Sequence, residues 1–218
     1  GLKRAEFLSA VYSRQKESIN PMDNVFLMSG SVNNGGPVHV SRKAGSTEGY
    51  IDTPASDDEK RLKLYKVVSK NKITLETKDG ISFDPDYYVI YNVPAKAPLI
   101  GGVSTASYSD FEVLPRTVMN EMSVNFYLPE NIQNTDKDIA SWNDREKNLY
   151  DSEGKSFVNA PDDATYIVIY GKYKDDQYTG NVYYTIHLGD FGNSGAHDYT
   201  NFKVVRNYKY DYTIKING

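Results

Sequence analysis

The chain has no cysteine among its 218 residues. Disulfides, thiolate nucleophiles and cysteine-ligated zinc are therefore excluded. Histidine is scarce: His39, His187 and His197 are the three copies, and none sits in a His-Glu-x-x-His or other metal-ligand spacing. By strand parity His187 falls on a polar face, as a solvated side chain. Basic charge is not in excess. Lys and Arg number 25 against 29 Asp and Glu, a net charge of -4. A nucleic-acid binder needs a basic surface for phosphate contacts, so that class is set aside. No apolar run approaches the length of a membrane span, and no signal peptide is present, which leaves a processed fragment open. No fixed-period repeat appears, so solenoids and propellers are excluded.

Catalytic signatures are missing as well. The Gly-rich stretch Ser29–Pro37 lacks the Gly-Lys-Ser/Thr ending of a phosphate loop and reads as hairpin chemistry. There is no Gly-x-Ser-x-Gly elbow. Two Ser-x-x-Lys pairs, Ser13–Lys16 and Ser152–Lys155, lack the Lys-Thr-Gly and Ser-Asp-Asn elements that accompany a lysine-activated serine. Acidic groups cluster at Asp57-Asp58-Glu59, Asp84/Asp86, Asp162-Asp163 and Asp175-Asp176, without the spacing of a calcium loop. The expectation is a non-enzymatic protein with no cofactor and no metal.

What is abundant is tyrosine, with 19 copies. Tyrosine favours half-buried pleated surfaces and also serves at binding surfaces. The last stretch, Asn207–Asn217, shows the pattern best. Tyr208, Tyr210, Tyr212, Ile214 and Ile216 fall on one side, and Lys209, Asp211, Thr213, Lys215 and Asn217 on the other. This period of two predicts a long strand with one apolar face. Burying each apolar side chain is worth about 1.5–3 kcal/mol, so that face needs a partner sheet.

Other runs behave alike. Met122–Leu128 and Val182–Leu188 alternate, while Tyr87–Asn92 and Tyr166–Tyr173 are apolar on both faces and read as central strands. Arg61–Ser69 alternates until Val67-Val68, where the phase slips as at a bulge. Asn71-Lys72 and Lys78-Asp79-Gly80 read as turns. Leu2–Ser18 has helical spacing at Leu2, Ala5, Leu8, Val11 and Tyr12 and predicts a short N-terminal helix that Asn20-Pro21 ends. Asn131–Ala160 is a long polar insertion holding the single Trp142, a candidate ligand contact; insertions of this length carry function or mobility. Trp142, Tyr150, Phe191 and Tyr199 are loop aromatics that suit either packing or stacking on a partner. About ten strands with little helix make an all-β sandwich.

From Asp84 onward the chain also resembles a known family. The series is D-P-D-Y-Y-V-I-Y-N-V-P (84–94), F-Y-L-P-E-N-I-Q (126–133), N-A-P-D-D-A-T-Y-I-V-I-Y-G-K-Y (159–173), Y-T-I-H-L-G-D-F (184–191) and F-K-V-V-R-N-Y-K-Y-D-Y-T-I-K-I-N-G (202–218). It is similar to the C-terminal part of the fimbrillin-like surface proteins of the Bacteroidota, the subunits and tip proteins of type V pili. R-L-K-L-Y-K-V-V-S-K (61–70) is similar to the last strand of that family's N-terminal domain. The resemblance implies transthyretin-like β-sandwiches of Greek-key topology. It divides the chain into a partial N-terminal lobe, residues 1–78, and a C-terminal sandwich domain, residues 79–218. It further implies lipoprotein export, proteolytic maturation, a cell-surface and outer-membrane fimbrial location, and polymerisation by strand exchange with other fimbrial subunits. Membrane attachment would run through a lipid anchor absent from this chain. Tyr208, Tyr210, Tyr212, Ile214 and Ile216 form the candidate assembly strand. A host protein or glycan is a further candidate partner, and a carbohydrate-binding surface module is the alternative function.

Overall fold

The computed structural model describes residues 11–13, 28–31, 39–42, 49–52, 63–99, 110–151, 154–192 and 197–217. Two sheets stack into a sandwich. The smaller holds β1 (Val68–Thr77) between β4 (Ser123–Pro129) and β9 (Lys209–Ile216). The larger runs in the order β3 (Thr117–Val118), β2 (Ser82–Tyr91), β6 (Tyr166–Lys174) and β7 (Thr179–His187). A two-stranded pair, β5 (Asn131–Asn134) with β8 (Asn201–Val204), stands beside them.

The core is the set of inward residues of both sheets. Ile73, Phe126 and Leu128 from the smaller sheet are fully buried, as are Ile90, Ile167 and Ile169 from the larger. Tyr88 and Phe126 face each other across the layers with ring centroids 6.1 Å apart. β2 keeps its core face despite an extra residue. Phe83 and Pro85 point inward before Asp86, Tyr88 and Ile90 after it, and the register with β6 shifts between Tyr170 and Gly171. This is a β-bulge. It demands glycine opposite, because a Cβ on Gly171 would sit 2.5 Å from the Asp84 carbonyl oxygen and from the Phe83 ring.

The last strand returns to lie beside the first, as in a Greek-key sandwich. The pair is parallel, from Lys209 opposite Lys70 to Ile216 opposite Thr77. The sandwich is therefore all-β, with one short helix among the described residues, α1 (Trp142–Arg145), inside the 131–160 insertion. That insertion also holds β5 and a hairpin of Asn148–Asp151 with Gly154–Phe157.

Several expectations need correction. Asn71 and Lys72 are not a turn. They lie in mid-strand, and Asn71 is buried on the core face with Nδ2 donating to Ser69 Oγ at 2.9 Å. That hydrogen bond lets a turn-forming side chain occupy a strand interior. The phase slip at Val67 marks the point where one strand, Lys63–Lys66, ends and β1 begins. β1, which lies before the expected division at 78/79, is the central strand of the smaller sheet. Within the segment read as an N-terminal helix, Val11–Ser13 is instead a strand antiparallel to Lys96–Pro98; residues 2–10 and 14–18 lie outside the described residues. Ahead of the sandwich, Met28–Ser31 pairs with Lys63–Lys66 and His39–Arg42 with Gly49–Asp52.

Candidate functional site

β9 is an edge strand. The Tyr208 carbonyl accepts from Lys70 N–H at 2.9 Å and the Ile216 carbonyl from Lys78 N–H at 3.1 Å. In a parallel pair a residue turns both backbone groups to the same neighbour, and the next residue turns both away. Even-numbered residues of β9 thus face β1. Lys209, Asp211, Thr213 and Lys215 present their N–H and C=O groups to the other side, where no strand among the described residues pairs. Their side chains are exposed. Lys209 and Asp211 form an ion pair of 2.7 Å, each more than half exposed, so it adds little stability. Charges on an edge do limit indiscriminate pairing.

On the core side of that edge runs a groove of about 520 Å³, lined by Trp142, Phe191, His197, Tyr199, Tyr212 and Ile214 among others. Its aromatic wall is built from two elements. Trp142 opens α1, whose first turn is capped by Ser141 Oγ accepting from Asp144 N–H at 3.1 Å. Phe191 follows β7. The two rings meet edge to face at 5.1 Å, and Phe191 reaches Tyr212 at 5.4 Å.

The wall is pinned from behind. Arg145 is fully buried and donates to three backbone carbonyls: Tyr199, Leu188 at 3.1 Å and Asn201 at 2.9 Å. Its guanidinium lies 3.7 Å from the Phe202 ring centroid and 4.5 Å from that of Phe191. Burial lowers its pKa to about 10, against the opposing pull of Glu146. Tyr212 hydroxyl donates to the Gly189 carbonyl at 3.1 Å. Gly189 has φ +151, and a Cβ there would lie 2.2 Å from the Asn201 carbonyl oxygen, so only glycine fits. Burial pushes the Tyr212 hydroxyl far above its usual pKa, and raises Tyr210 to about 12. At the start of β9, Arg206 Nε lies 3.2 Å from Glu130, and its other nitrogens donate to the carbonyls of Pro98 and Leu99.

The candidate assembly residues separate here. Tyr210, Tyr212 and Ile216 are buried, Ile214 is half-buried at the groove, and Tyr208 is 57% exposed, stacking on Tyr210 at 6.2 Å. Tyr208 precedes β9 and follows the turn at Asn207, φ +61, with its ring exposed beside Tyr210. Trp142 comes to the same groove as Tyr212 and Ile214. Trp142 and two of the five strand candidates, far apart in sequence, thus line one groove. Its free backbone groups and apolar trough are suited to receive an extended segment.

Sequence reasoning missed Arg145, and it misplaced His187. That histidine is fully buried, with Nδ1 2.6 Å from Glu146 Oε2 and its backbone N–H donating to Glu146 Oε1 at 2.9 Å. Phe157 covers it at 4.3 Å. Among the described residues, no group of three His, Asp or Glu side chains is gathered to hold a metal ion, and no helix is long and apolar enough to cross a membrane.

No curated protein matches the chain. Residues 126–214 match the model of a domain of unknown function, DUF4906. Among solved structures the chain is similar to the tip fimbrial protein Mfa3 from Porphyromonas gingivalis with C-terminal truncation, at 15% identity and a TM-score of 0.48, over 97% of this chain and 67% of that one. In its motif series the chain resembles the fimbrillin-like surface proteins of the Bacteroidota.

Proposed function

We propose that this chain is a non-enzymatic subunit of a cell-surface fimbrium, joined to neighbouring subunits by β-strand pairing and contributing to adhesion. The observation that carries the reading is the outer edge of β9, unpaired among the described residues, above a groove walled by Trp142 and Phe191. An incoming strand would find four outward backbone positions for hydrogen bonds. Its inward side chains would enter the trough beside Ile214, which the chain itself leaves half-buried. Backbone pairing supplies affinity and the trough supplies selection. The sandwich from Val68 onward is the pairing domain in this reading, and the residues before it form the partial N-terminal lobe. The surface location rests on the motif resemblance.

The test is self-association. Sedimentation of the concentrated chain should show oligomers that grow with concentration and that Thr213→Pro abolishes. A chain that stays monomeric at every concentration, or a Thr213→Pro variant that assembles unchanged, refutes the role.

A further inference from the structure

The larger sheet turns a second face away from the core, and its cross-strand rows are unequally covered. One row, Tyr91–Tyr166–His187, lies under Phe157, with Tyr166 and His187 both buried. Four residues further along, past Val89–Val168–Thr185, the register places Tyr87, Tyr170 and Tyr183 side by side on three strands. Their ring centroids are 4.5 and 5.8 Å apart. This row is more open: Tyr183 is 39% exposed, and Tyr87 and Tyr170 are half-buried. Beyond it comes a polar row, Asp84–Lys172–Asn181, all exposed.

Two depressions meet on this face. One, about 650 Å³, contains Tyr87, Tyr170, Arg116 and the polar row. The other, about 450 Å³, contains Tyr183, Glu146, Asn148 and Thr185. They share Asn181 and Val182, so they adjoin along one side of the sheet. Arg116 lies 3.5 Å over the Tyr87 ring and 3.5 Å from Asp86, at one end. At the other end two buried oxygens, Asn148 Oδ1 and Thr185 Oγ1, have no hydrogen-bond partner among the described residues. Buried polar atoms are rarely left so, and both residues border the second depression.

We infer that this tyrosine-floored groove binds a neutral oligosaccharide. The charges select against other classes. Asp84, Asp86 and Glu146 stand against Arg116 and Lys172, so no strong field of one sign draws in a polyanion or a polycation. A purely apolar ligand would strand the amides, carboxylates and hydroxyls. A sugar ring has apolar C–H faces and a rim of hydroxyls that both donate and accept. The aromatic row spans about 10 Å, two strand spacings, which suits a short run of rings. Asn181, Asp84 and Lys172, all exposed, flank the row and would pair with the sugar hydroxyls. This site is separate from the β9 groove and does not depend on assembly.

The experiment is calorimetric titration of the full chain with neutral hexasaccharides of glucose, mannose, xylose, galactose and N-acetylglucosamine, alongside a heparin hexasaccharide. The expected result is binding of at least one neutral sugar. Tyr170→Ala and Asn181→Ala should each weaken it about tenfold or more, a loss of about 1.4 kcal/mol, and Trp142→Ala should leave it unchanged. Asn181 is exposed, so its replacement leaves folding intact and separates contact from collapse. Failure of every neutral sugar to bind overturns the proposal, as does binding by heparin alone or binding that Trp142→Ala removes while Asn181→Ala does not.

Discussion

Trp142 and Phe191 meet edge to face, 5.1 Å between centroids, at the mouth of the groove beside the last strand. Neither ring is fully buried, because the trough that they wall is open. Trp142→Ala should therefore cost only about 1–2 kcal/mol of stability, less than a core aromatic. Self-association should fall much further than stability does. Urea unfolding and sedimentation on the same variant check both halves.

Arg145 holds that wall by donating to the carbonyls of Leu188, Tyr199 and Asn201. Lysine offers one nitrogen in place of the planar fork and cannot reach three carbonyls at once. Arg145→Lys is expected to destabilise the chain by about 3 kcal/mol, because a buried charge loses its partners. The urea midpoint reports it, and a Phe191 ring freed from the guanidinium should shift in an NMR spectrum.

How much of this was written in the sequence depends on range. β9 announced itself by strict alternation, and its burial pattern from Lys209 to Ile216 follows that alternation apart from the half-buried Ile214. Its parallel partner β1 lies about 140 residues away and leaves no local trace. His187 was read as solvated because parity gives only the face, and the face that it shares with Tyr166 is roofed by Phe157 from a distant hairpin. Asn71-Lys72 resembled a turn because local propensity cannot see the Ser69 hydroxyl that accepts from Asn71 Nδ2. Trp142 and Phe191 were each visible as loop aromatics, but their meeting is a tertiary fact.

Alkaline stability should track the buried phenols. Burial raises Tyr210 to about 12 and Tyr212 higher still, above an ordinary value of 10.0. A folded-state pKa above the unfolded one means that the unfolded chain releases the proton first. The contribution is fully present below pH 10 and is lost as pH rises from 10 toward 12 and beyond. Absorbance titration at alkaline pH should show exposed tyrosines ionising first, and the buried pair only as the fold is lost. Tyr210→Phe should flatten the loss.

Proline placement along β9 separates its two edges. Thr213 turns its N–H outward, so Thr213→Pro removes a donor that only an incoming strand would use. Its thermal midpoint should stay within a few degrees of the parent. Ile214 turns its N–H to β1, so Ile214→Pro breaks a ladder hydrogen bond and should lower the midpoint far more. Thermal unfolding of the two variants side by side reads the difference.

The most direct measurement is residue-resolved amide hydrogen exchange on β9, in the dilute chain and in its assembled form. Dilute, Tyr212 and Ile214 should be protected while Asp211, Thr213 and Lys215 exchange freely. On assembly the second set should become as slow as the first. If Thr213 and Lys215 exchange equally fast in both states, no strand has been added at this edge and the assembly role is contradicted.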